Sequence, residues 1–109
     1  MSYSKANLFP VRDQKTARLA KAIAHPARIG ILRVLMQQHS IESRVLYRKL
    51  PLSAPTIHQH LDFLTDRDIV QVDTTPAKAK YHVNRTNFQD LKDILDHCFK
   101  DLDSGSVIG

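Results

Sequence analysis

The sequence predicts a mainly α domain with one small β-hairpin, and three observations carry that expectation. Apolar residues recur at three- and four-residue steps through most of the 109-residue chain, the period of helices with one buried face. Between Ile69 and Val83 the period drops to two, as in a half-buried strand pair. Pro26 and Pro51 fall at the joints between helical runs, where a residue without a backbone N–H does least harm. A chain of this length, 42% hydrophobic, has room for one core of ordinary size and would bury roughly 65% of its extended surface on folding. Residues 13–102 read as the domain, residues 1–12 as an N-terminal extension and residues 103–109 as a mobile tail.

Asp13 offers an N-cap to a first helix over about 13–24, in which Ala17, Ala20, Ile23 and Ala24 recur at helical spacing with Leu19 beside them. His25-Pro26 interrupts it, because proline disfavours helical geometry in the residue before it yet suits the first turn of the next helix. The second helix starts at Pro26 and carries Ile29, Ile31, Leu32, Val34, Leu35 and Met36 around most of its circumference. It therefore belongs in the centre of the domain, with Arg28 and Arg33 reaching out at its margins. Ser40 is placed to cap a third helix of about ten residues bearing Ile41, Val45, Leu46 and Leu50, which Pro51 ends. After the tight turn Pro51-Leu52, Ser53 can accept from the free N–H groups of a fourth helix, 53–67, with Pro55 tolerated in its first turn. Ile57, Leu61 and Leu64 form its apolar stripe. A helical step of about 100° puts Gln59 opposite that stripe, with Pro55, Thr56 and Asp62 on the same outer half and His58 and His60 on the flanks. Ile69, Val70 and Val72, then Tyr81 and Val83, make the hairpin, its basic tip running from Thr74-Thr75-Pro76-Ala77 to Lys78 and Lys80. Thr86 or Asn87 caps a last helix of about fifteen residues, in which Phe88, Leu91, Leu95, Cys98 and Leu102, with Ile94 and Phe99 alongside, form a broad apolar stripe.

Charge is unevenly divided. Residues 1–85 carry 14 Lys and Arg against 6 Asp and Glu, whereas residues 86–109 carry 2 against 5. A basic body attracts a polyanion by releasing its condensed counterions, which makes nucleic acid the first partner to consider; a merely basic surface is the plainer reading. No stretch approaches the ~20 apolar residues of a bilayer span, and no apolar run follows Lys5 as in a secretion signal. The single Cys98 can form no disulfide within the chain, so the expected address is the cytoplasm, with no membrane partner.

A short helix, a turn and a second helix with an outward polar face is the helix-turn-helix layout, in which the second helix enters the major groove and the first crosses the backbone. The groove is about 12 Å wide and admits one helix whose inner side is anchored in a core. The hairpin behind it adds a wing, so the fold class is a winged helix-turn-helix in the order helix, helix, short helix, helix, hairpin, helix. Two segments also resemble the ArsR-type (arsenical-resistance repressor) family. Leu19-Ala20-Lys21-Ala22-Ile23-Ala24-His25-Pro26-Ala27-Arg28-Ile29-Gly30-Ile31-Leu32 is similar to the family's opening. Leu52-Ser53-Ala54-Pro55-Thr56-Ile57-His58-Gln59-His60-Leu61, followed by Leu64 and Ile69-Val70, is similar to its recognition helix and first wing strand. The resemblance spans about residues 16–100 and implies a bacterial or archaeal homodimeric transcriptional regulator, usually a repressor, whose first and last helices form the dimer interface. On this chain that interface would comprise Leu19, Ile23, Phe88, Leu91, Leu95, Cys98, Phe99 and Leu102. The last stripe is wider than so small a domain requires, and a two-fold pair would bury the same patch on both copies; packing on the second helix alone is the alternative. Two linked half-sites about 34–36 Å apart, in an inverted-repeat operator on double-stranded DNA, bind far more tightly than one.

Thr56, Gln59 and His58 are the base-facing candidates, since Gln pairs in bidentate fashion with adenine and Thr offers a hydroxyl or methyl contact. Ala54 and His60 are further DNA-facing positions on the same helix. Ser53 caps the helix, alone or together with a phosphate held at the helix N-terminus. Arg44, Arg48 and Lys49, with Lys78 and Lys80 on the wing, are phosphate candidates or, more plainly, a solvated basic face.

The positions where the family's soft-metal sensors carry a Cys-x-Cys pair fall at Glu42 and Arg44, which supply no thiolate. Asp93, Asp96 and His97 lack the later histidine of the zinc-sensor pattern, and His58 and His60, two apart on a helix, point in different directions. No metal and no cofactor is expected; any inducer would be a different signal. His25 matches the family's His-Pro turn and reads as structural, and Cys98 on its apolar stripe reads as a buried thiol. A cross-dimer disulfide would need two Cys98 Cα atoms within about 7 Å. With no phosphate loop, metal-binding His pair or nucleophile elbow, nothing points to an enzyme. Two readings stand: a DNA-binding regulator, or a winged-helix module that holds a protein partner without specific DNA binding.

Overall fold

Helix starts need acceptors for N–H groups that the helix leaves unpaired, and a side chain just ahead of the helix supplies one at three of the α-helices described below. The computed structural model describes residues 5–75 and 78–105. Its elements are a 3-10 turn (Lys5–Leu8), α1 (Val11–Ala20), a second 3-10 turn (Lys21–Ile23), α2 (Pro26–Met36), β1 (Ile41–Glu42), α3 (Ser43–Lys49), α4 (Ala54–Asp66), β2 (Val70–Thr75), β3 (Lys78–Val83) and α5 (Arg85–Asp103). α1 begins behind Pro10 without a side-chain cap, and Asp13 lies in its first turn, where a negative charge favours the helix N-terminus, rather than at the cap. The chain then tightens into the second 3-10 turn instead of continuing α1. His25 is extended and caps α2, its Nδ1 accepting from the Ala27 N–H at 3.0 Å. α2 buries Ala27, Ile31, Leu32 and Leu35 and packs against both α4 and β3, as a central helix should.

The segment around Ser40 departs furthest from the sequence reading. Ser40 caps nothing: Ile41 and Glu42 form a strand, and α3 starts behind Glu42 with no side-chain cap. Ile41 pairs with Tyr81 and Glu42 with Lys80, so the wing is an antiparallel three-stranded sheet of order β1-β3-β2 rather than a bare hairpin. A two-residue strand has no period to read, and it exists here because β3 offers it an edge. β2 and β3 pair in register from Val70 with Val83 to Thr75 with Lys78; Pro76 and Ala77, expected at the tip, lie outside the described residues.

α5 is capped by Asn84, whose Oδ1 accepts from the Asn87 N–H at 3.2 Å. The helix therefore begins ahead of Thr86 and Asn87 and runs 19 residues. Residues 106–109 of the expected tail lie outside the described residues, and Asp103 closes α5. Between α4 and β2, Asp68 adopts a left-handed backbone (φ 56°), which Asp tolerates better than most residues. Its carboxylate accepts from the side-chain amides of Asn84 (3.3 Å), Asn87 (3.0 Å) and Gln71 (3.4 Å). The fully buried residues Ile31, Leu35, Leu46, Ile57, Leu61, Leu64, Ile69 and Val70 bring α2, α3, α4 and the first wing strand onto one core.

Candidate nucleic-acid interface

α4 is anchored from within and open from without. Ile57, Leu61 and Leu64 are fully buried, while Pro55, His58, Gln59, Asp62 and Asp66 are exposed. Ser53 Oγ accepts from the Thr56 N–H at 3.4 Å and lies 2.9 Å from Thr56 Oγ1, so the capping residue also occupies the hydroxyl expected to face a base. Ala54 is half-buried in the first turn. His58 shares a hydrogen bond through Nε2 with the Tyr47 hydroxyl, which ties α4 to α3. Burial, then Tyr47 and Asp62, push the nearby Tyr81 phenol up, so this seam also reaches β3.

His60 does not stand on the outward face. Its ring packs against His25 at 4.4 Å and its Nδ1 lies 3.4 Å from Arg28 Nη1, directing it toward α2. Burial first, and then His25 and Arg28, hold its pKa below the usual imidazole value. Arg28, expected to reach outward, is folded over the Phe63 ring and donates to the Lys21 carbonyl from Nε at 3.1 Å and Nη2 at 2.6 Å.

On the other side of α4, Arg44, Arg48 and Lys49 are exposed on α3 and Lys78 and Lys80 on β3. Glu42 joins two of them: its Oε2 accepts from Arg44 Nε at 2.9 Å and its Oε1 lies 3.5 Å from Lys78 Nζ. Desolvation pushes this carboxyl up, but the hydrogen bonds and charges of Arg44 and Lys78 outweigh it and hold the pKa low. The register places Lys80 between Glu42 and Asp73. Thus the positions matching the family's thiolate pair hold an ion pair, and among the described residues no three His, Cys, Asp or Glu side chains come together as a metal site requires.

The residues expected at a dimer interface divide. Leu91 is only 2% exposed and belongs to the core of the single chain. Leu19, Ile23, Phe88 and Leu95 are partly buried against that core, Cys98 is half-buried, and Phe99 and Leu102 stand in solvent. A groove of about 440 Å³ between α1 and α5 is lined in part by Thr16, Ile94, Cys98 and Leu102. Among the described residues no helix is long and apolar enough to cross a membrane.

Glu42, Tyr47, Arg28 and the pair Phe63 and Arg67 are the site residues that sequence reasoning missed. Phe63 carried a signal: it is an aromatic on the outer half of α4 with a cation four residues on, where the two side chains meet. Arg28, Tyr47 and the Lys78 contact of Glu42 depend on other segments of the chain and carried none.

The chain has the winged helix-turn-helix fold. No protein-family model and no curated protein matches it. Solved structures do. The transcriptional repressor BigR from Xylella fastidiosa is 21% identical, with a TM-score of 0.65 over 89% of this chain and 97% of that one. An ArsR-like transcriptional regulator from Rhodococcus sp. RHA1 is 20% identical, with a TM-score of 0.71 over 84% and 86%. A homodimeric winged helix-turn-helix DNA-binding domain from Mycobacterium bovis, a possible ArsR-family transcriptional regulator, is 20% identical, with a TM-score of 0.64 over 93% and 89%.

Proposed function

We propose that this chain is an ArsR-type, homodimeric DNA-binding transcriptional regulator, acting as a repressor and not as an enzyme or a soft-metal sensor. The observation that carries the reading is α4: a helix fixed by three fully buried residues, presenting Gln59 outward beside a basic α3 and a basic wing. Gln59 and the first turn of α4 read bases, with Arg44, Arg48, Lys49, Lys78 and Lys80 on the phosphates of one strand. A second copy would cover Phe99 and Leu102 on α5, with Cys98 between them and α1.

The test is selection of bound sequences from a randomised duplex pool, with the number of subunits per site counted. An enriched inverted repeat holding two subunits supports the reading. Gln59→Ala should then change base preference, whereas Lys80→Gln should weaken all sequences alike and make the log–log salt slope shallower by about 0.9. Absence of enrichment overturns it in favour of a protein-binding module, for which the exposed Asp62 and Asp66 beside Gln59 would repel phosphate.

A further inference from the structure

The flank of α4 turned away from α3 carries cations that none of the roles above uses. The guanidinium carbons of Arg28 and Arg67 lie 3.9 Å and 3.4 Å from the centroid of the Phe63 ring, distances that only opposite faces of the ring can accommodate together. Arg28 extends to His60, and His60 to His25. Arg67 Nη1 donates to the Phe63 carbonyl at 3.1 Å, while its Nε is buried with no hydrogen-bond partner among the described residues.

The electrostatics of this cluster run one way. After burial, the influence that lowers the Arg28 pKa is Arg67, and those that lower His60 are His25 and Arg28. No ion pair to a carboxylate is formed by Arg28 or Arg67 among the described residues, in contrast to Arg44 and Lys78. Like charges held together with no carboxylate among them raise the free energy of the empty cluster, and an anion at its open side lowers it.

Its position narrows the anion. His60, Phe63 and Arg67 follow one another at helical spacing along the α2 side of α4, while His58 and Tyr47 mark the α3 side. A helix lying in the major groove has a phosphate strand on each side, and the α3 and wing cations serve only one. We propose that Arg28, Arg67 and His60 form a phosphate site that seats the second DNA strand, the one running past the α2 flank of α4. The site rests on the DNA-binding reading above, but its chemistry, a guanidinium group on each face of one ring with an imidazole beside them, also fits a free phosphate anion at either group.

The experiment compares the full chain with Arg28→Gln and Arg67→Gln, using a labelled mixed-sequence duplex of about three helical turns, titrated between about 50 and 200 mM salt. Each Gln variant should make the log–log slope shallower by about 0.9, one phosphate contact each, with Arg28→Lys retaining most of it. Circular dichroism checks the fold of every variant. Folded Gln variants that keep the parent slope overturn the site while leaving the DNA reading intact. If the Gln variants do not fold, the His60 ring resonances of the unaltered chain decide: movement on adding duplex supports the site, and no movement overturns it. If the unaltered chain binds no duplex, the DNA reading fails by itself and inorganic phosphate becomes the probe. A phosphate-dependent shift of His60 and of the Arg67 Nε–H then assigns the site to a free anion, and its absence overturns the proposal.

Discussion

The two flanks of α4 are both cationic, yet they hold their charge by different means. On the α3 and wing side Glu42 accepts from Arg44 and lies beside Lys78, so part of that charge is already neutralised and its geometry is set by a carboxylate. On the α2 side the Phe63 ring separates Arg28 from Arg67 and no carboxylate joins them. A count of basic residues treats these flanks as equal. The first, however, must give up a carboxylate partner to meet a polyanion at full strength, whereas the second holds its cations only by backbone carbonyls, an imidazole and a ring.

The largest expected effect removes the comparison altogether. Leu61 is fully buried beneath both flanks, so Leu61→Ala should lower unfolding free energy by about 2–5 kcal/mol in urea denaturation, and both flanks should lose their order together. Phe63→Ala separates them. It takes the ring from between two guanidinium groups and should cost about 1–2 kcal/mol, while the Tyr47–His58 contact survives as seen in the ring resonances of His58. A loss indistinguishable from zero would mean that the ring does not hold the α2 flank.

Glu42→Gln should leave stability near neutral pH little changed but should tighten binding to any duplex and steepen the salt slope, because Arg44 and Lys78 are released. That sign is opposite to the one expected for Arg67→Gln. The smallest effect is in pH. His60 binds a proton less readily in the folded chain than at its ordinary 6.5, so its contribution is intact above that value and is lost as pH falls through and below it. Glu42, held below its ordinary 4.5, contributes above that value and loses its contribution as pH falls through its lower folded value. Urea midpoints followed downward from pH 8 should therefore show two losses. His60→Gln should remove the first and Glu42→Gln the second.

What could be read from the sequence was local. Ser53 announces the start of α4, and the spacing of Ile57, Leu61 and Leu64 fixes its inner face without knowledge of the partner. At the start of α5 the sequence offers Thr86 or Asn87 as the cap, whereas the helix starts directly behind β3 and Asn84 takes that place. Angle alone put His60 on a flank, but His25 and Arg28 decide where its ring goes, and they arrive from another helix. The α5 stripe is continuous in sequence from Phe88 to Leu102, yet it is divided in space: Leu91 meets the core while Phe99 and Leu102 overrun it. β1 was illegible because its cause, an edge on β3, lies in a later part of the chain.

Asp68 joins regions that would otherwise be independent. It leaves α4 in a left-handed turn and grips, through Asn84 and Asn87, the first turn of α5. In a two-fold pair assembled along α5, this junction would act as a gauge: it would set how far apart, and at what angle, the two copies of α4 are presented. A chain altered at Asp68 could then keep each α4 intact and still prefer operators of a different spacing.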